Sequence, residues 1–172
     1  MEVRNATIHH YFPAKSDLGI AVIEEEIKKV ALGQENYKDL SGVGQLKQLV
    51  GTFYDAGEEG LICLSGALTP EYDTLPAPLQ DKVMEMCRAI LDWMSACLGR
   101  AVEEGDLHFQ GTAADRAILV MSALMSSLLL SRVLGIKVFI SAMDRVLQDL
   151  GASWRIADLP QRPSDRAAQP AG

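Results

Sequence analysis

The fold class this sequence predicts is all-α, and three observations carry that prediction. Apolar residues recur at three- and four-residue intervals through most of the chain. No stretch shows the strict apolar–polar alternation of a half-buried strand. Ser16, Gly105, Thr112 and Gly135 punctuate the periodic stretches where helix caps and stops belong.

Residues 5–18 read as the end of one short helix, a turn at Pro13, and the start of a longer helix capped by Ser16: a partial helix-turn-helix. Asp17 stands near the positive end of that second helix. Leu18, Ala21, Val22 and Ile27 give it an apolar stripe. Glu24/Lys28 and Glu25/Lys29 are i,i+4 pairs of favourable polarity, so the run Glu24-Glu25-Glu26 reads as a solvated face and not a metal site. Gly42 and Gly44 are expected to break the chain. Leu46, Leu49, Val50 and Phe53 then mark a short amphipathic helix ending near Gly57 and Gly60.

Leu61 to Ala67 fits helix or strand by pattern alone, and Thr69-Pro70 through Pro76-Ala77-Pro78 reads as a loop or broken helix. A long helix is predicted from Leu79 to about Glu104, apolar along Val83, Met86, Ile90, Trp93, Met94, Leu98 and Val102, and stopped by Gly105. Thr112 caps the next, which reaches about Leu134 and is apolar nearly all the way round. Such a helix must be covered on two sides; its own core supplies one, and a partner chain or more protein the other.

Ala123, Ser127 and Ser131 form a small-residue stripe on it that would permit close helix approach. The last helix, Lys137 to Leu150, adds Ile140, Met143, Val146 and Leu147. Together these predict a two-fold dimer through the last two helices, with Ala123, Ser127, Leu130, Ser131, Met143, Val146 and Leu147 at its interface. Pro160, Pro163 and Pro170 among polar residues and alanines predict a disordered tail over 155–172. The expected organisation is an N-terminal piece, 1–32, and a helical body, 42–151.

Composition narrows the function. With 48% hydrophobic residues a large core is available. A net charge of −7 argues against a chain coated for nucleic acid, so any DNA contact must be local. The N-terminal segment fits, because Arg4 and Lys15 face Glu2 alone there. Three cysteines make no disulfide framework, and Cys87 and Cys97 on one helix would be ~15 Å apart, too far to bridge.

A reduced cytoplasmic setting follows as the expectation. No signal peptide is expected, since charges interrupt the N-terminus. The apolar run Ala117 to Ser131 falls short of the ~20 residues that span a bilayer, so no membrane partner is expected. Gly42-Val43-Gly44 lacks the third glycine of a dinucleotide loop, and His108 has no obvious catalytic partner. His9 and His10 are adjacent and point to different sides of a helix, so they cannot share a metal as an i,i+4 pair would. No enzyme activity, metal or cofactor is therefore expected. Cys63, in an apolar stretch without a neighbouring Lys, Arg or His, reads as a small buried hydrophobe.

The sequence Ile8-His9-His10-Tyr11-Phe12-Pro13-Ala14-Lys15-Ser16-Asp17-Leu18 resembles the end of the helix-turn-helix of TetR-family transcriptional regulators. Leu61-Ile62-Cys63-Leu64, the Glu103-Glu104-Gly105-Asp106-Leu107 helix end and the two final apolar helices also look like that family. The resemblance implies that Arg4, Asn5, Thr7, His9 and His10 face DNA while Tyr11 and Lys15 bond phosphates. Arg and Asn suit base edges, and Tyr and Lys suit phosphate oxygens.

It implies further an effector pocket between the body helices, with Phe53, Tyr54, Cys63, Met86, Trp93, Met121 and Met125 as lining candidates, fit for a small apolar or aromatic molecule. The function implied is a one-component regulator, a repressor released from operator DNA by its ligand. The family places two further helices before this motif, where only Met1 to Arg4 stand here. The alternative expectation is thus a truncated helical dimer that binds ligand but not operator, with weak, unselective DNA binding by the chain alone.

Overall fold

The computed structural model describes residues 15–159, which form six α-helices and two short 3₁₀ turns. The helices are α1 (Lys15–Tyr37), α2 (Gly42–Glu58), α3 (Leu64–Leu68), α4 (Ala77–Glu103), α5 (Ala113–Leu134) and α6 (Lys137–Asp149). The turns span Thr69–Thr74 and Ile156–Asp158. No strand occurs among the described residues. Arg4, Asn5, Thr7, His9, His10 and Tyr11, and the side chain of Lys15, lie outside them.

Helix α4 is the central element, and α1, α2 and α5 pack around it. Helix α1 already includes Lys15, so Ser16 lies within it and does not cap it, and it continues past Leu32 to Tyr37. It lies along α4 and runs in the same direction. Gly19 meets Leu79, and about four turns later Gly33 meets Trp93. The two glycines fall on one face and act as notches for those two large side chains. The acidic run behaves differently from the expected i,i+4 pairing. Glu25 and Glu26 pair with Lys28 and Lys29 at i,i+3, while Glu24 reaches Lys82 of α4 at 3.3 Å.

Gly42 and Gly44 do not break the chain; they open α2. Ser41 caps that helix by accepting the Gly44 N–H at 3.1 Å. Glycine is needed at 42 because α4 passes so close that an added Cβ would sit 2.4 Å from the Ala101 nitrogen. Glu104, at the end of α4, accepts the Gly42 N–H at 2.7 Å and the Arg100 Nε–H at 2.7 Å. Arg100 also donates to the Lys38 carbonyl. One cluster thus ties the α1–α2 turn to the C-terminal end of α4. The Gly42 bond, and next the Arg100 hydrogen bond, hold the Glu104 carboxyl below its ordinary value.

The stretch that fitted helix or strand resolves into an extended lead-in and the short α3, with Cys63 at its N-cap. Thr112 caps α5 by accepting the Asp115 N–H, and Gly135 ends it with φ of 86°, a conformation that suits glycine. The inner side of α5 carries Ala117, Val120, Met121, Leu124, Ser127, Leu128 and Ser131, all buried. The outer side leaves Ile118, Leu119, Leu129, Leu130, Val133 and Leu134 exposed, Val133 at 83%. By length and composition α5 could cross a membrane, but its inner side is core, and Asp115, Arg116 and Arg132 interrupt it.

This sidedness corrects the expected dimer interface. Ser127 and Ser131 are buried in their own body, and their hydroxyls donate back to the Leu124 and Leu128 carbonyls. Met143 and Leu147 are fully buried on the inner side of α6. Ala123 and Val146 are half-buried, and of the seven only Leu130 is exposed. The small-residue stripe faces inward. The unpartnered apolar face lies on the other side of the helix, on residues that periodicity alone could not separate because α5 is apolar all round.

The body also extends further than expected. Trp154 is buried, with the Lys47 ammonium 5.2 Å from its ring centre. Ile156 is buried too, and its N–H donates to Asp144 at 2.8 Å. Residues 155–159 therefore belong to the body and not to a disordered tail. Residues 160–172 lie outside the described ones.

Candidate functional site

Three helical stripes and one connecting segment enclose a cavity of about 640 Å³ that is partly open to solvent. Helix α1 contributes Val22, Glu26, Val30, Gly33 and Tyr37, spaced by three or four residues along one face. Helix α2 contributes Leu49, Phe53 and Ala56, and α4 contributes Met86, Ile90 and Trp93 at the same helical spacing. Leu61 to Ser65 close the remaining side.

Most of this wall is hydrocarbon or aromatic. The polar groups at its edge are largely engaged with each other. Lys29 pairs with Glu26 at 3.3 Å, so the two charges offset one another. Thr52 turns its hydroxyl to the Gln48 carbonyl at 3.0 Å. Cys63 accepts the Gly66 N–H at 3.3 Å and the Ser65 hydroxyl at 3.4 Å. Ser65 also accepts, through its carbonyl, the hydroxyl of Thr69. A wall of this kind favours an uncharged, largely apolar guest.

Trp93 is the largest side chain of the wall and is held at two edges. Its indole N–H donates to Gln45 Oε1 at 3.2 Å. Gln45 is itself buried; its Nε2 donates to the Leu40 carbonyl, and its Oε1 also receives the Cys97 thiol at 3.7 Å. Leaving the indole donor unmet would cost ~1–3 kcal/mol. At the far edge, a Cβ on Gly33 would stand 2.8 Å from Trp93 Cη2, so only glycine accommodates the ring without a shift. Burial pushes the Cys97 thiol up to about 12, which keeps it a neutral donor here.

Among the pocket candidates, Phe53, Cys63, Met86 and Trp93 line this cavity. Tyr54, Met121 and Met125 do not, and the third helix beside those of Phe53 and Trp93 is α1 and not the helix of Met121. Tyr54 follows Phe53 by one residue, hence about 100° round the helix, and tilts against Phe139 with ring centres 6.2 Å apart. Met121 is buried on the inner side of α5, and Met125 packs half-buried against the core. The wall built by α1 was missed because that helix was assigned to the N-terminal piece. Val30, Gly33 and Tyr37, continuing the stripe of Val22 beyond Leu32, were the signal that could have found it.

The cysteines are free, Cys97 buried and Cys63 and Cys87 half-buried. Burial, and secondarily the neighbouring Cys63, raise the Cys87 thiol. No three His, Cys, Asp or Glu residues come together as a metal site among the described residues.

Solved structures share this architecture. The chain is similar to a TetR-family transcriptional regulator from Agrobacterium tumefaciens, with a TM-score of 0.76 and 26% identity over 86% of this chain and 80% of that one. It is similar in fold to a TetR transcriptional regulator from Legionella pneumophila (TM-score 0.74, 23% identity, the same coverage). Escherichia coli NemR in its reduced form also shares the fold (TM-score 0.65, 18% identity, the same coverage). No curated protein matches the chain. Residues 42–148 match the family described as "Tetracyclin repressor-like, C-terminal domain", a stretch that takes in α2 to α6 and two of the three helices walling the cavity. The chain therefore belongs to the TetR family of transcriptional regulators, and its helical body is the family's C-terminal ligand-binding domain.

Proposed function

We propose that this protein is a one-component repressor that a small, uncharged apolar or aromatic molecule releases from operator DNA. The observation that carries the reading is the 640 Å³ cavity, within the range of small-molecule sites, with α1 as one of its walls. Helix α1 starts at Lys15 and follows directly on the segment that carries Arg4, Asn5, Thr7, His9, His10 and Tyr11, which with Lys15 are the residues proposed to meet DNA. A guest that binds one arrangement of α1 better than another shifts the population of the other arrangement, and with it the presentation of that segment. The free thiols accord with a reduced, cytoplasmic setting.

The protein acts as a homodimer in this reading. The exposed apolar face of α5, with Leu119 at 58% and Leu130 at 51%, supports an isologous pairing about a two-fold axis. Leu130→Glu should shift the dimer toward monomer in sedimentation at micromolar concentration.

The test couples two titrations. Uncharged aromatic compounds are screened by thermal shift, and the hits are added to the protein bound to fluorescent DNA from upstream of its own gene, at fixed salt. Hits should raise the melting temperature and lower DNA affinity together, and Trp93→Ala should weaken both effects. Asn5→Ala should relax sequence preference, and Lys15→Ala should weaken binding to all sequences. Hits that stabilise the body and leave DNA binding untouched would sink the repressor reading and favour a ligand-binding dimer without operator function.

A further inference from the structure

We infer that Gln45 and Gly33 are positioning residues that pin the Trp93 indole from opposite edges and so set which ring sizes the cavity accepts. The inference rests on the cavity being the ligand site. Gln45 has no freedom to turn its amide. Its Nε2 is spent on the Leu40 carbonyl and its Oε1 on two donors, Trp93 and Cys97. Exchanging the two ends would set donor against donors and acceptor against acceptor. The indole N–H is thus tied to one buried point. The opposite, six-membered edge lies in the notch of Gly33, where any side chain would meet it. A ring held at both edges cannot swing aside for a bulkier guest, nor settle inward around a smaller one. What it offers the cavity, alongside Met86, Ile90 and Phe53, is a wall of fixed position.

The two residues act on the wall with opposite sign. Gln45→Met keeps the length and removes the acceptor, so the ring is freed. Gly33→Ala, a substitution that favours helix, pushes the ring into the cavity. The test uses 1-naphthol and 9-phenanthrol as two- and three-ring probes, in a Trp154→Phe background that leaves Trp93 as the sole tryptophan. Gln45→Met should raise affinity for the larger probe relative to the smaller by about tenfold, and Gly33→Ala should shift the ratio the other way. The Trp93 indole N–H should exchange faster with solvent in Gln45→Met, without any probe. General destabilisation would move both affinities together and leave the ratio alone. An unchanged ratio in both variants, or unchanged indole exchange, overturns the inference. If Gln45→Met does not fold, Gly33→Ala still decides the ratio. If the parent binds neither probe, the ligand-site reading is damaged instead, and indole exchange still decides whether Gln45 positions the ring.

Discussion

The two faces of the body use apolar residues in opposite ways. On the side of α1, Phe53, Ile90 and Trp93 keep 8–9% of their surface because they look into a cavity. On the side of α5 and α6, Leu124, Leu128, Phe139, Met143 and Leu147 keep none. Close packing there contributes stability through many dispersion contacts and complete removal of apolar surface from water. On the cavity side part of that stabilisation is forgone, and a guest can supply it on binding. The contrast teaches that a closed core and a space left for a guest can sit on opposite sides of one central helix.

Four substitutions can break or sharpen that contrast. Leu124→Ala on the packed side should cost ~4 kcal/mol in urea unfolding, because a fully buried leucine leaves a void its neighbours cannot close. Ile90→Ala on the cavity side should cost less, ~2 kcal/mol, because part of the isoleucine already faces open space. Equal losses at the two sites would erase the distinction.

Glu104→Gln should have a smaller effect, and one that depends on pH. Its folded carboxyl is held below the ordinary value, so its contribution is complete above the ordinary carboxylate range and fades as pH falls through the lowered value. The melting-temperature gap between parent and Glu104→Gln should therefore be open at pH 7 and narrow on acidification. A gap that widens toward acid would refute the bond's assigned role. Last, Leu130→Ala, on the exposed face, should change the folding free energy of the monomer by less than about 0.5 kcal/mol under conditions where no dimer forms.

Much of the fold was legible. The long α4, the Thr112 cap, the Gly135 stop and the last helix all follow from periodicity and terminal residues, which report on local geometry. What failed shares a different cause. Gly42 looked like a breaker because sequence shows glycine's conformational freedom and not the neighbouring backbone that requires its small size. The serine stripe of α5 was assigned outward because a helix apolar on all sides carries no phase information. Of the cavity, Phe53, Cys63, Met86 and Trp93 are legible in the sequence, on family likeness as much as on residue type. Tyr54 and Met121 are not distinguishable from them by chemistry: Tyr54 differs from Phe53 by a rotation about one helix axis, and Met121 lies on α5, which packs away from the cavity. Gln45 is not legible in the sequence because one amide at the start of an amphipathic helix carries no pattern; only its buried partners reveal it.

The paired notches of α1 carry an evolutionary consequence. Gly19 receives Leu79 and Gly33 receives Trp93, and the interval between the glycines equals that between their partners. One residue inserted between the glycines would turn the second notch by about 100° and move it ~1.5 Å along the axis, away from Trp93. A substitution between them changes one contact, while a shift in length misaligns the whole pairing. Descendants of this chain should thus vary at the exposed positions of α1 between 19 and 33 and conserve apolar character at the buried Ile23 and Val30, yet hold its length constant, and a library of single-codon insertions there should be depleted far more sharply than a library of point changes over the same span.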